Sequence, residues 1–307
     1  MPISLPPISR RHFLRSSAAA SAAALLPACT KAAAPPTIRA DPDRLALLSD
    51  VHIHADKTTT TGGTVVWETM SRAVQEIAAL DPAPAAAIVN GDCAHFYGNR
   101  EDYGTFIEAI APLRKAGMGV HMTLGNHDSR ENFLAALGPG EARVKDAGVA
   151  DHHVSLVATR RANLFLLDSL DKPNTLQGVL GAAQLKWLAH ALDARRDKPA
   201  IIFVHHNPDG RAPDKRAGLV ETRELFEILL PRKHVKALFY GHSHVWTYTK
   251  RQGMHLVNLP PTAWLFMPAL PQGWVDLRLG ETGGVMELRC LDTKHHLHGE
   301  RVDLQWR

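Results

Sequence analysis

The sequence predicts an α/β protein in which two β-sheets pack together and helices cover their outer faces. Runs rich in Val, Ile, Leu and Phe, with the length of buried strands, alternate with stretches whose apolar residues recur every three or four positions. Five of the strand-like runs end in a short acidic or histidine cluster. Because open α/β sheets place their chemistry at the carboxyl ends of strands, these clusters would converge on one crevice.

The strands are predicted from the length and composition of the apolar runs. The five that precede a cluster span 45–49, 87–90, 120–124, 200–204 and 235–240, and a further buried strand covers 162–168. From Trp274 onward the apolar residues also suit strands, and we expect these to belong to a second sheet. Two sheets with helices outside would bury all of these runs.

The helices are predicted from apolar stripes at three- and four-residue spacing. Such stripes occur at 70–80, 106–113, 185–192 and 225–230, and each would be the face that a helix turns toward the core. The sequence shows no internal repeat and no second linker. Residues 44–307 are therefore expected to form one domain, of a size that is common for a single α/β domain.

The amino-terminal segment has the layout of an export signal. Arg10 and Arg11 precede Phe13 and Leu14, and an Ala- and Leu-rich run follows that is too short to span a membrane. Paired arginines followed by Phe-Leu resemble a twin-arginine signal, which exports proteins that have already folded. Residues 1–29 are thus predicted to be a signal peptide that engages the Tat export machinery; the alternative is a disordered basic tail.

Cys29 ends a Leu-Pro-Ala-Cys segment that resembles a bacterial lipobox, in which the cysteine carries the lipid anchor of a mature lipoprotein. Ordinary cleavage after an alanine between Ala28 and Ala34 is the alternative. Residues 30–43 are then predicted to be a flexible tether. The expected location is the periplasm, or a membrane-anchored position on the outer side of the inner membrane or at the cell envelope.

The net charge bears on the class of partner. Residues 1–28 contain three arginines and no acidic residue, so their removal would lower the formal net charge from +4 to +1. What remains has no stripe of Lys and Arg with interleaved aromatic residues, and we expect no nucleic-acid partner. Two cysteines follow Cys29. Cys93 and Cys290 would either pair in an exported protein or lie buried as small apolar residues.

The five clusters supply oxygen and nitrogen ligands for metal ions. They read Asp-Val-His at 50–52, Gly-Asp at 91–92, Gly-Asn-His-Asp at 125–128, His-His at 205–206 and Gly-His-Ser-His at 241–244. In an extended strand, residues two apart point the same way, so the first and last clusters each present two side chains together. A lone His among 18 is weak evidence. The ordered set of five, each after an apolar run, is what predicts a metal site.

In this order the clusters resemble the motifs of the calcineurin-like metallophosphoesterases, over nearly all of residues 45–265. The resemblance implies a four-layer αββα sandwich of two mixed β-sheets flanked by helices. It also implies two metal ions with seven ligands: Asp50, His52 and His244 for the first ion, Asn126, His205 and His242 for the second, and Asp92 as a bridge between them.

The resemblance implies hydrolysis of phosphoesters, with phosphodiesters favoured, by a hydroxide that bridges the two ions. Two ions roughly 3.5–4 Å apart can each bind a phosphoryl oxygen, neutralise charge that develops in the transition state, and acidify a bridging water near neutral pH. Carboxylate, amide and imidazole ligands suit iron, manganese or zinc. The lack of cysteine among the ligands argues against a structural zinc site.

Several positions near the ligands leave alternatives open. By the resemblance, His127 faces the substrate as a catalytic residue that protonates the leaving oxygen or stabilises the phosphoryl group; otherwise it supports the ligands from behind. His95 stands where many relatives carry the Asp or Asn that orients this histidine, so it would either contact substrate or fill the rim. His206 is an alternative to His205 as a ligand. Trp264 and Phe266 would be core residues or an apolar lip to the site.

The motif order is most similar to the branch that contains bacterial class III cyclic nucleotide phosphodiesterases and glycerophosphodiesterases. Purple acid phosphatases carry a tyrosine ligand at the position of His95, which disfavours that subgroup. The alternatives are a phosphomonoesterase of the same fold, a catalytically silent exported binding lipoprotein, and a nuclease. The presence of all seven ligands argues against the silent protein, and the lack of a basic groove argues against the nuclease.

Overall fold

The computed structural model describes residues 40–138, 149–208 and 217–307. The predicted signal peptide, 1–29, and residues 30–39 of the predicted tether lie outside these ranges. The last four residues of that tether, 40–43, belong to the first strand. Within the described part of the chain, no helix combines the length and the apolar character needed to cross a membrane.

Fourteen strands and five helices are assigned in the described ranges. In chain order the elements are β1 (Ala40–Leu48), β2 (Thr60–Thr61), β3 (Thr64–Val65), α1 (Val66–Ala78), β4 (Ala83–Asn90), α2 (Arg100–Lys115), β5 (Gly119–Thr123), α3 (Arg130–Leu137), β6 (Ser155–Ala158), β7 (Asn163–Leu166), α4 (Gly181–Asp193), β8 (Ala200–Phe203), α5 (Thr222–Leu229), β9 (Val235–Tyr240), β10 (Thr247–Arg251), β11 (Met254–Asn258), β12 (Gly273–Leu279), β13 (Gly283–Cys290) and β14 (Arg301–Gln305).

The large strands form two mixed sheets of six strands each. The first has the order β14-β13-β12-β1-β4-β5, and the second has the order β10-β11-β9-β8-β7-β6. In the first sheet β1, β4 and β5 run parallel, and β12, β13 and β14 follow beside β1, each antiparallel to the strand before it in the sheet. In the second sheet β11, β9, β8 and β7 are parallel, with antiparallel edge strands β10 and β6.

Alternation along β1 explains the layering. Leu45 and Leu47 belong to an apolar core shared by the inner faces of both sheets, where they cluster with Phe203 of β8. Ala46 and Leu48 point the other way, into a core that the first sheet shares with α1, α2 and α3. A third core lies between the second sheet and helices α4 and α5. The four-layer αββα sandwich expected from the resemblance is therefore confirmed.

The prediction that the carboxy-terminal strands belong to a second sheet is wrong. The strands that begin at Gly273 extend the first sheet, because β12 pairs antiparallel with β1 in the register Leu45↔Leu277 and Leu47↔Val275. Alternating apolar residues show which face of a strand is buried but do not show which edge it pairs with. The second sheet is built from the middle of the chain, and its strands β6, β10 and β11 were not predicted.

The two cysteines that follow the leader are both buried. Cys93 packs in the core between the first sheet and its helices, whereas Cys290 packs between the two sheets. They therefore act as small apolar core residues, which is one of the two alternatives that the sequence left open, and they do not form a disulfide.

Candidate metal centre

The seven predicted ligands all follow parallel strands. They lie in the loops just after β1, β4 and β5 of the first sheet and after β8 and β9 of the second: Asp50, His52, Asp92, Asn126, His205, His242 and His244. Because the two sheets pack face to face, these loops meet at one end of the sandwich. Side chains separated by up to 194 positions in the sequence are thereby brought together.

The six carboxylates and imidazoles among the predicted ligands fall into two groups. The potential ligand atoms of Asp50, His52 and His244 all lie within 4.8 Å of one another, and the same holds for Asp92, His205 and His242. Each group therefore offers enough ligands in a small enough space to hold one ion.

Asp92 lies between the two groups. Its Oδ2 is 3.2 Å from Nε2 of His205 in one group and 3.5 Å from Nε2 of His52 in the other. Its Oδ1 accepts a hydrogen bond from the backbone N–H of His127 at 2.9 Å. The carboxylate is thus placed to contact ions in both groups.

Asn126 supplies the amide of the predicted set. Its side chain is buried, and neither its Oδ1 nor its Nδ2 has a hydrogen-bond partner in the structure. Buried polar atoms are almost always satisfied in proteins. A cation bound at these atoms would supply the missing partner, so the donor set fits a metal ion.

Backbone carbonyls hold two of the histidines in the orientation that a ligand needs. Nδ1 of His205 lies 2.9 Å from the carbonyl oxygen of Asn90, and Nδ1 of His244 lies 2.8 Å from that of Trp264. Since a carbonyl only accepts, Nδ1–H is the donor, and Nε2 is the nitrogen that would bind a cation once it has lost its proton.

The backbone of the site adopts an uncommon conformation. Five of the seven predicted ligands have φ in the left-handed region, between +45° and +67°: Asp50, His52, Asp92, His242 and His244. Such residues cost free energy and persist only where the surrounding structure enforces them, which is typical of functional sites. The strand ends are therefore shaped to direct these side chains inward.

Two motif glycines make room for the ligands. A Cβ on Gly125 would lie 2.2 Å from Oδ1 of Asp92, and a Cβ on Gly91 would lie 2.4 Å from Nδ1 of His205. Both distances are below any real contact, so a larger residue at either position would push a ligand away. This close approach explains the glycine that precedes the ligand in each motif.

The electrostatics are those of carboxylates packed against imidazoles. Burial disfavours the charged form of His205, but the nearby charges of Asp92 and Asp50 outweigh it and raise its pKa to about 10. For Asp50, burial is likewise outweighed, by His244 and His205, and its pKa falls to about 2. Burial, together with the charge of His205, lowers the pKa of His242 to about 4. The carboxylates thus hold protons on His205 that a bound cation would displace.

His127 is oriented by a backbone carbonyl. Its Nδ1 lies 2.9 Å from the carbonyl oxygen of Phe96, and its ring lines the cavity beside the ligands. One of its ring nitrogens also lies within 4.8 Å of ligand atoms of His52 and Asp92. Nothing in the sequence pointed to Phe96, because a main-chain acceptor leaves no trace in residue type.

The neighbouring Asp128 fixes the loops and does not line the cavity. Its buried carboxylate accepts hydrogen bonds from the backbone N–H groups of Gly125 and Ala94 and from the hydroxyl of Tyr103. Burial, with the nearby charge of Asp92, raises its pKa to about 6. It therefore ties the loop after β5 to the loop after β4.

The structure places the residues of the open alternatives differently. His205 points into the ligand group, whereas Nδ1 of His206 bonds to the hydroxyl of Ser169 at 2.7 Å and its ring lies outside both groups. His95 bonds through Nε2 to the hydroxyl of Thr61 at 3.0 Å and packs against Phe96, and it is not among the residues that line the cavity over the ligands.

A cavity of about 310 Å³ opens directly over the ligands. It is lined by His52, Asp92, Asn126, His127, Leu176, Asn207, Ala217, His242, Ser243, His244, Trp264 and Phe266. A larger cavity of about 820 Å³ lies against α5 and shares none of these residues. Leu176 and Asn207 were not predicted, since neither belongs to a motif.

Comparison with known proteins identifies a family for most of the chain. Residues 43–246 match the model of the calcineurin-like phosphoesterases, and residues 7–27 match that of the twin-arginine translocation signal sequence. A probable cyclic nucleotide phosphodiesterase of Rhodopseudomonas palustris is 34% identical over 58% of this chain and 63% of its own length.

Two further matches cover more of the domain. The 3',5'-cyclic adenosine monophosphate phosphodiesterase CpdA of Pseudomonas aeruginosa is 26% identical over 78% of this chain and 86% of its own length. Among solved structures, a dimetal phosphatase from Danio rerio superimposes with a TM-score of 0.67 at 17% identity, covering 87% of this chain and 100% of that one. At that identity, the superposition supports the fold alone.

Proposed function

The chain belongs to the calcineurin-like phosphoesterase family, whose members hydrolyse phosphoric esters, and on that premise we propose that it is a phosphodiesterase that uses two metal ions. The observation that carries the proposal is the pair of ligand groups with Asp92 between them. A structural metal site would need only one such group, whereas two groups that share a carboxylate are the arrangement that phosphoryl transfer uses.

The proposed division of ligands follows the two groups. Asp50, His52 and His244 would hold one ion, and Asn126, His205 and His242 the other, with Asp92 contacting both. Bound there, the ions would draw charge from the phosphoryl oxygens and acidify a water molecule for attack on phosphorus. Oxygen and imidazole ligands without thiolate favour iron, manganese or zinc.

His127 is proposed as the catalytic side chain. Because its Nδ1–H donates to the carbonyl of Phe96, the other ring nitrogen is left for the cavity that the ring lines. From there it can stabilise the phosphoryl group or, in its protonated form, give a proton to the leaving alcohol oxygen.

The comparisons favour a diester over a monoester. Both relatives described above are named as cyclic nucleotide phosphodiesterases, and a cyclic nucleotide is an internal diester. The signal sequence implies export across the inner membrane, so the substrate of this chain would be met outside the cytoplasm. We therefore propose an external phosphodiester, hydrolysed in the periplasm or at the cell envelope.

The test compares bis(p-nitrophenyl) phosphate with p-nitrophenyl phosphate as substrates of the purified protein, loaded in turn with manganese, iron and zinc. A higher kcat/KM for the diester is expected. A higher value for the monoester would make the protein a phosphatase of the same fold. No turnover with any bound metal would reject hydrolysis and favour a silent binding protein.

Lipidation and ordinary cleavage of the amino-terminal segment would leave mature proteins of different mass. Lipidation at Cys29 would leave a mature protein that begins at this cysteine and carries acyl chains, whereas ordinary cleavage would leave an unmodified end between Ala28 and Ala34. We propose the lipid anchor because the Leu-Pro-Ala-Cys segment lies directly after the apolar run. The intact mass of the mature protein from the cell envelope decides between them, and an unmodified amino terminus would reject the anchor.

A further inference from the structure

One part of the cavity wall is apolar. Leu176, Trp264 and Phe266 line the cavity together with the ligands, and we call these three side chains the apolar collar. Trp264 is nearly buried, but Phe266 is 65% exposed and Leu176 is 57% exposed. Large apolar side chains that stay exposed beside a polar cleft mark a surface that binds something.

The collar is held firmly against the ligands. The ring of Phe266 stacks on that of His244, with 4.4 Å between centroids and 26° between planes. The ring of Trp264 lies 4.0 Å from that of His52, and its backbone carbonyl accepts from His244. Trp264 and Phe266 therefore pack directly against two of the proposed ligands.

Leu176 is attached to the other group of ligands. The backbone N–H of Asn174, two residues before it, donates to the backbone carbonyl of Asn126. Asn174 has φ of +61°, in the left-handed region that asparagine tolerates better than most residues. The segment that presents Leu176 is thus tied directly to a proposed ligand.

The described residues that line the cavity include no lysine and no arginine. Apart from the proposed ligands and His127, its walls are apolar or neutral. Among these described lining residues, a substrate with a second anionic group, such as a nucleoside polyphosphate, would find no lysine or arginine to pair with. A neutral apolar group, in contrast, would cover the collar and remove its surface from water.

We propose that the apolar collar binds an alkyl or aryl alcohol carried by the phosphodiester substrate and thereby sets the specificity of the enzyme. The inference rests on the proposed phosphodiesterase activity. In the reaction the oxygen of water bonds to phosphorus, the bond from phosphorus to the leaving oxygen breaks, and the leaving alcohol takes up a proton; the apolar alcohol that stays on phosphorus lies on the collar.

The test uses three diesters with one leaving group: methyl, hexyl and benzyl p-nitrophenyl phosphate. All three release p-nitrophenol, so they differ only in the group that would contact the collar. We expect kcat/KM of the metal-loaded protein to be about tenfold higher, or more, for the hexyl or the benzyl ester than for the methyl ester. A gain confined to benzyl would assign the collar to aryl groups, and a gain confined to hexyl would assign it to alkyl groups.

Variants locate the preference. Phe266→Ala and Leu176→Ala should each lower the ratio of kcat/KM between the preferred ester and the methyl ester by about fivefold. Tyr248→Ala and Val220→Ala remove side chains of similar exposure, 46% and 53%, that do not line the cavity, and should keep the ratio.

Three outcomes would overturn the inference. Turnover of all three esters at equal kcat/KM would reject the collar as a specificity site while leaving the phosphodiesterase activity intact. A preference that survives in both collar variants would place the apolar site elsewhere. No turnover of any ester would reject the proposed function itself, and the role of the collar with it.

Discussion

The backbone N–H of His127 donates a hydrogen bond to the side chain of Asp92, yet the proposed roles of these two residues differ. Asp92→Ala should lose bound metal and turnover together, because this carboxylate contacts both ligand groups. His127→Ala should keep the metal and lower kcat by about 10²- to 10⁴-fold, the usual contribution of a proton-transfer residue. Metal content by mass spectrometry and kcat on bis(p-nitrophenyl) phosphate measure both effects.

His54 provides the matched control for that pair. It is another histidine on the same rim, but its Nδ1 bonds to the hydroxyl of Thr59 and it belongs to neither ligand group. His54→Ala should therefore retain both metal and rate. Equal loss of metal in Asp92→Ala and His127→Ala would mean that His127 is a ligand. Its ring nitrogen lies close enough to ligand atoms of His52 and Asp92 for that role.

At the scale of single residues, the sequence predicted which side chains belong to the site better than it predicted their backbone conformation and contacts. The spacing of Asp50 and His52, and of His242 and His244, after apolar runs was enough to place them at strand ends. The left-handed φ of these residues could not be read from their types, because Asp and His adopt it only where neighbours enforce it. Tertiary contacts decide such features.

The turn after β4 carries the next prediction, at the scale of an element. Phe96 has φ of +44°, unusual for a bulky residue, and this conformation directs its carbonyl oxygen toward Nδ1 of His127. The backbone N–H groups of Tyr97 and Gly98 both donate to the carbonyl of His95 and close the turn. Phe96→Val should lower kcat at least tenfold, since a β-branched residue resists this φ and would turn the carbonyl away.

Phe96→Asn separates the backbone effect from the loss of the ring. Asparagine tolerates the left-handed region, so this variant should retain most of the kcat although it also lacks the phenyl group. The measurement is kcat on methyl p-nitrophenyl phosphate, a small substrate. If both variants lose activity equally, the phenyl ring and not the carbonyl supports His127.

Helices were predictable where the apolar pattern is clear, but the pairing of strands was not. The stripe at 106–113 predicted α2, because sixteen residues give the pattern several turns to repeat. The eight-residue α3 buries only Phe133 and was missed, whereas the equally short α5 buries three apolar residues and was predicted. Pairing of β12 with β1 was missed for another reason, since the choice of neighbour depends on which edges are free in the assembled sheet.

The candidate metal centre joins the two halves of the molecule. Asp50, His52, Asp92 and Asn126 come from the first sheet, and His205, His242 and His244 come from the second. Metal bound there would connect the sheets at one end, in addition to the apolar core between them. Its binding free energy would then add to the stability of the whole fold, because the unfolded chain has no such site.

Without metal, the ionisable side chains of this site should make the free energy of unfolding depend on pH. The pKa of His205 in the folded protein, about 10, exceeds its ordinary 6.5, so its contribution to the free energy of unfolding is complete below about pH 6.5 and is lost as the pH rises through 10. For Asp50, with a pKa of about 2 against 3.8, the contribution is present above 3.8 and is lost as the pH falls through 2. The metal-free protein should therefore weaken from pH 6.5 upward, by up to about 1.4 kcal/mol per pH unit for one proton.

Urea unfolding of chelator-treated protein at a series of pH values between 6.5 and 10 measures this slope. Metal-loaded protein should show a smaller slope over the same range, since a ligand histidine is already deprotonated when the ion is bound. His205→Gln removes the titrating group and should flatten the slope of the metal-free protein. A parallel decline in wild type and His205→Gln would show that other groups cause the loss, and would reject the ion pairs of His205 with Asp92 and Asp50 as the source.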